Sequence, residues 1–266
     1  MPERATAIEN IDFNKSDQYT LSIRLSTDGF SFSVYNPLHE GETYYSNHAI
    51  DPTLSLTANL KQFFRTSEIP NHPYKRVNIV MKDKRFTMVP LELFEEEQIE
   101  TIFHHNHPQK GNETILYNVL KKNNIVVIFG IDKSTHQFLT EQYPEAKFYS
   151  QVAPMSEYLS SKSRAGNSRK LYASFQPSNM DVYCYERGRL LLVNSYECKF
   201  TEDRIYYLLY LWKQLEFDQE KDELHLTGTI SDKEKLTKEL KTFISQVFII
   251  PISTFTNIET LTLCEL

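Results

Sequence analysis

The chain opens on short runs in which polar and apolar residues alternate. Tyr19-Thr-Leu-Ser-Ile-Arg-Leu25 alternates with a period of two, Ser26-Thr-Asp-Gly29 supplies turn residues, and Phe30-Ser-Phe-Ser-Val-Tyr35 alternates again. Two such runs around a Thr-Asp-Gly turn predict a β-hairpin. A third run, Thr43-Tyr-Tyr-Ser-Asn-His48, extends it into a meander. The pattern returns in the second half: Leu171-Tyr-Ala-Ser-Phe175, a turn at Gln176-Pro-Ser-Asn179, then Met180 to Tyr185 and Arg189 to Ser195.

A helix is predicted after each meander, over Pro52 to Arg65 and over Thr201 to Phe217. The second is the better defined: Thr201 is its expected N-cap, with Glu202 and Asp203 in the first turn favouring the helix dipole. Ile205, Leu208, Leu209, Trp212 and Leu215 recur at helical spacing as one apolar stripe. In the first half, strands are expected at Arg76–Met81 and Phe86–Val89, then an acidic helix from Leu91 to His105. In the second half, strands are expected at Glu223–Thr227 and Gln246–Ile250, around a helix from Asp232 to Phe243. The first half also carries an addition, with strands near Ile115–Leu120 and Ile125–Phe129 and a helix near Lys133–Tyr143.

These elements divide the chain into an N-terminal extension (1–17), a first lobe (18–151) with an inserted segment near 111–151, an interlobe helix and linker (152–169), and a second lobe (170–266). The boundary falls in Ser160 to Arg169, which is rich in serine and basic residues and poor in apolar ones, as a solvated loop would be.

Composition narrows the chemistry. The 266 residues include seven glycines, and no two stand closer than twelve positions. The dinucleotide fingerprint, the P-loop and the hydrolase nucleophile elbow all need closely spaced glycines, so none is present as written. Lys plus Arg is 29 and Asp plus Glu is 35, and the net charge of −6 opposes broad attraction to nucleic acid or anionic membrane. Cys184, Cys198 and Cys264 are odd in number and lack close spacing, the expectation for reduced, buried thiols in a cytoplasmic protein. The N-terminus has no apolar core and the run Ile125–Phe129 is too short to span a bilayer, so neither a signal peptide nor a membrane span is expected.

A duplicated meander, helix, strand, helix, strand unit resembles the ground plan of the actin-like ATPase and sugar kinase superfamily. The chain is similar to an uncharacterised bacterial family with a degenerate version of that fold, and to actin-like pilus-assembly proteins. The resemblance implies an α/β protein with a duplicated, ribonuclease H-like fold: two lobes, each a mixed five-stranded sheet flanked by helices. It also implies three nucleotide loops. The first hairpin turn would offer Asp-x-Gly to phosphate, and here Thr27, Asp28 and Gly29 stand there, with Thr27 in the place of the acid. The second turn would carry Asp-x-Gly-x-Gly-Thr, since only glycine lets backbone N–H groups come close to phosphate. Ser174 to Asn179 has neither glycine nor acid, and Pro177 removes a donor. The adenosine loop would be a strand and Gly-Gly, of which Gly228 alone remains. Losing several charge-assisted contacts, each worth about 1.5–3 kcal/mol, removes most of the phosphate affinity.

Thr27, Asp28, Gly29 and Gly228 therefore read as vestigial. No cofactor and no metal site is expected, and nucleotide, nucleic acid and membrane are read against as partners. The expectation is a non-catalytic, two-lobed protein with a vestigial cleft, binding a protein partner or acting in assembly in the bacterial cytoplasm. The alternative is a nucleotide-binding ATPase or kinase with noncanonical residues, Asp28 among them; another is an anion- or RNA-binding protein using Lys162, Arg164, Arg169 and Lys170. His104 and His107 share a helix face with Glu100, but lie just before Pro108, where histidines favour a helix C-terminus. The segment Phe255–Leu266 reads as amphipathic, covering the second half or meeting a partner.

Overall fold

A computed structural model describes residues 11–27, 29–38, 43–230 and 232–250; Asp28, most of the N-terminal extension and the segment Phe255–Leu266 lie outside the described residues. The chain forms two compact units, one drawing on residues up to Leu120 and on Asn124–Ala153, the other on Lys121–Asn123 and on the chain from Pro154.

In the first unit, β1 (Thr20–Ser26), β2 (Gly29–Tyr35) and β3 (Thr43–Ala49) form the expected meander, followed by α1 (Leu56–Thr66) and β4 (Arg76–Lys82). Next come β5 (Phe86–Pro90), α2 (Ile99–Asn106), β6 (Glu113–Leu120), β7 (Ile125–Asp132), α3 (Lys133–Gln142) and β8 (Lys147–Ser150). Helix α4 (Val152–Ser163) leads to the second meander, β9 (Arg169–Phe175), β10 (Asn179–Glu186) and β11 (Arg189–Glu197). The chain then runs through α5 (Thr201–Gln214), β12 (Glu223–Gly228), α6 (Lys233–Leu240) and β13 (Gln246–Ile249).

The two main sheets have the same order, β3-β2-β1-β4-β8 and β11-β10-β9-β12-β13, with antiparallel pairing inside each meander and parallel pairing beyond it. This is the duplicated, mixed five-stranded arrangement expected from the sequence. Alternation gathers the large apolar side chains on one face: Leu21, Ile23 and Leu25 of β1 join Phe30, Phe32 and Val34 of β2, with Leu60 and Phe64 of α1 and Phe138 and Leu139 of α3 over them. In the second unit Leu171, Ala173 and Phe175 pack under Leu208, Leu211 and Trp212 of α5 and Leu236 and Leu240 of α6.

Several elements differ from expectation. The acidic stretch from Leu91 is two 3₁₀ turns, Leu91–Leu93 and Glu96–Gln98, before α2 begins at Ile99. A continuous helix would stack like charges three and four residues apart, Glu92 on Glu95 and Glu96 and Glu96 on Glu100, which weakens it. The strand Phe86–Pro90 is not in the main sheet; it pairs with β7 in a separate sheet β5-β7-β6, so the added structure draws on residues upstream of the segment near 111–151. The fifth strand of the first sheet is β8, whose four residues Lys-Phe-Tyr-Ser give too little pattern to read. Ser160 does not lie in a solvated loop: α4 continues to Ser163, and Ser156, Ser160 and Ser163 are fully buried. Their small side chains allow close approach, Ser160 Oγ donating to Gly188 O at 2.8 Å. Finally, Thr201 is the first helical residue of α5 and Phe200 is the cap, with Asp203 accepting from the Phe200 N–H at 3.4 Å.

Candidate functional site

The two hairpin turns are where the resemblance places phosphate contacts. In the first, Ser26 Oγ donates to Gly29 O at 2.8 Å, Thr27 is exposed, and Gly29 is buried. A side chain on Gly29 would bring its Cβ to 2.5 Å from His48 O, so β2 and β3 need glycine at this point for their own pairing.

The second turn is closed by its own protein. Gln176 N–H donates to Asn179 O, Cys198 N–H to Ser178 O and Thr229 N–H to Phe175 O, each at 2.9 Å. Gln176 O receives Arg204 Nη2 at 2.9 Å, with Pro177 O at 3.5 Å. Arg204 is 2% exposed, and its guanidinium carbon lies 5.3 Å from the centroid of the Phe175 ring. The carbonyls of this turn therefore face protein donors, led by a buried cation. The Gln176 side chain adds a bond to Asp181 Oδ2 at 3.0 Å.

Arg204 was legible only through phase. The buried positions of α5 are Thr201, Arg204, Leu208, Leu211 and Trp212. The sequence stripe through Ile205, Leu209 and Leu215 is thus rotated toward the half-buried flank. An arginine four residues before Leu208 was the available signal.

Gly228 ends β12 opposite Phe175 with φ at +94°, and a Cβ there would meet Phe175 O at 2.1 Å and Phe175 N at 2.5 Å. The left-handed backbone and the close strand both require glycine. Sheet geometry alone accounts for this residue.

A polar link recurs in both units. Thr57 in α1 donates to Asp132 Oδ1 and Thr201 in α5 to Asp232 Oδ2, each at 3.3 Å. Asp132 and Asp232 are the residues preceding α3 and α6, so the same tie joins corresponding helices.

The basic residues near the boundary are largely engaged. Arg169 Nε meets Asp222 Oδ2 at 3.1 Å, its Nη1 reaches Leu215 O at 2.8 Å, and its guanidinium carbon lies 4.7 Å from the Phe217 ring centroid. Lys170 is buried and bonds Glu223 Oε2 at 3.1 Å. These two residues hold the second sheet and the end of α5. Lys162 Nζ sits 5.5 Å from the Tyr158 ring centroid. Burial by itself would raise the Glu223 carboxyl, but bonds from Ser168, His225 and Lys170 outweigh it and hold the group below its ordinary range. Burial pushes the His225 imidazole down, against the pull of Glu223.

The histidines at the end of α2 do not converge. His107 is the C-cap, and its Nε2 lies 3.1 Å from Phe86 O and 3.3 Å from Thr87 Oγ1, beside the edge of β5. No group of three metal-type side chains stands together among the described residues. Cys184 and Cys198 are free and buried, and burial pushes the Cys184 thiol up to about 12. Cys264 lies outside the described residues. No helix among the described residues is long and apolar enough to cross a membrane.

Comparison with known proteins gives three findings. A family model described as "Protein of unknown function (DUF3822)" matches residues 8–247. A crystal structure from Bacteroides thetaiotaomicron VPI-5482, of a protein with actin-like ATPase fold and unknown function, is 61% identical, covering 96% of this chain and 100% of that one at a TM-score of 0.87. A PilM-PilN type IV pilus biogenesis complex is similar at 12% identity over 90% of this chain and 89% of that one, with a TM-score of 0.51, which speaks to fold alone. No curated protein matches the sequence.

Proposed function

This chain belongs to the DUF3822 family and has the actin-like ATPase fold, and on that footing we propose that it is a non-catalytic member of the fold that works as a protein-binding or assembly module in the bacterial cytoplasm. The observation that carries the reading is the second hairpin turn. Where phosphate would need converging N–H groups and a divalent cation, this turn has Pro177, no glycine and no acid, and its Gln176 and Pro177 carbonyls are gathered by Arg204. Gly29 and Gly228 are kept for strand contacts, so their presence does not argue for a ligand. Thr27, Asp28, Gly29 and Gly228 are accordingly proposed as vestigial loop positions. A protein partner is favoured over a small-molecule substrate because a PilM-PilN complex is among the structures of similar fold.

The test is calorimetry of the full chain with ATP and magnesium. No heat of binding is expected up to millimolar nucleotide. A micromolar Kd that is lost in Asp28→Ala would overturn the proposal and favour the ATPase or kinase reading.

A further inference from the structure

We draw no further inference here: the strongest candidate, the exposed apolar patch of Phe243, Phe248, Ile249 and Ile250 along the edge strand β13, carries no proposal because nothing among the described residues shows what covers it.

Discussion

Helices α1 and α5 occupy the same place in the two units, each following a meander, and the fourth residue of each helix is polar and buried: Asn59 in one and Arg204 in the other. The short amide works locally. Asn59 Oδ1 accepts from Asp51 N–H at 2.8 Å, and Nδ2 donates to Asp51 O at 3.1 Å and Ser55 O at 3.0 Å, fixing the connector that enters its own helix. The long guanidinium reaches past its helix to the hairpin turn. One position on one scaffold has thus been used to stabilise two different loops, and side-chain length decides which. The first turn keeps a glycine, with Ser26 Oγ bonded to Gly29 O, whereas the second has no glycine and is held by Arg204.

The largest effect that would break this comparison is at Gly228. Gly228→Ala should destabilise the protein by about 3 kcal/mol or more, combining an unfavourable left-handed residue with a steric clash. Gly29→Ala, which lacks the positive φ, should cost about 1–2 kcal/mol. Urea denaturation of both variants checks the order, and equal losses would mean that strand contact alone fixes the two positions. Next is the pair at the fourth helical position. Arg204→Ala strips a buried donor from two carbonyls and should cost roughly 2–4 kcal/mol, against about 1–2 for Asn59→Ala. Amide exchange should locate the first loss at the 175–179 turn and the second at the 51–55 connector. Loss of protection at both places in either variant would refute the division of labour.

A smaller effect is expected from the repeated threonine ties. Thr57→Val and Thr201→Val should each cost about 0.5–1.5 kcal/mol, and similar values would establish the link as a shared feature of the duplication. The smallest concerns His225, which has its folded pKa held below the ordinary 6.5. The unfolded chain then binds the proton more readily, so the contribution is present above pH 6.5 and is lost as pH falls below it. Melting temperature should decline between pH 7.5 and 5.5 more steeply than in His225→Gln, and parallel declines would show that other groups carry the pH response.

The strands β1 and β2 were legible because their large apolar residues fall at every second position, with the small serines between them buried on the opposite face, which writes a period of two into the sequence. The duplication followed from that pattern. Other parts left weaker traces. Lys147–Ser150 is too short for periodicity, and the buried serines of α4 have the composition of a loop although they serve close helix packing. Glu92 to Glu100 suggested one helix because charge pattern alone does not distinguish 3₁₀ turns from α-helix. At the candidate site, the absence of phosphate-loop residues could be read directly, but Arg204 could not. Its role depends on two segments brought together by the fold, and a single arginine inside an amphipathic helix is ordinarily solvated.

Asn118, on β6 of the added sheet, donates from Nδ2 to Phe148 O at 2.8 Å and accepts from Ser150 N–H at 2.9 Å. Toward β8 the side-chain amide presents an N–H and a C=O side by side, as a peptide unit does, and its second N–H turns back to Tyr117 O at 3.2 Å, so no ladder grows from it. It acts as a chain terminator for the first sheet at β8. Excising the added strands would therefore leave the Phe148 carbonyl and the Ser150 N–H unpaired on the outer edge of β8, where an unpaired edge is a template for further strand pairing.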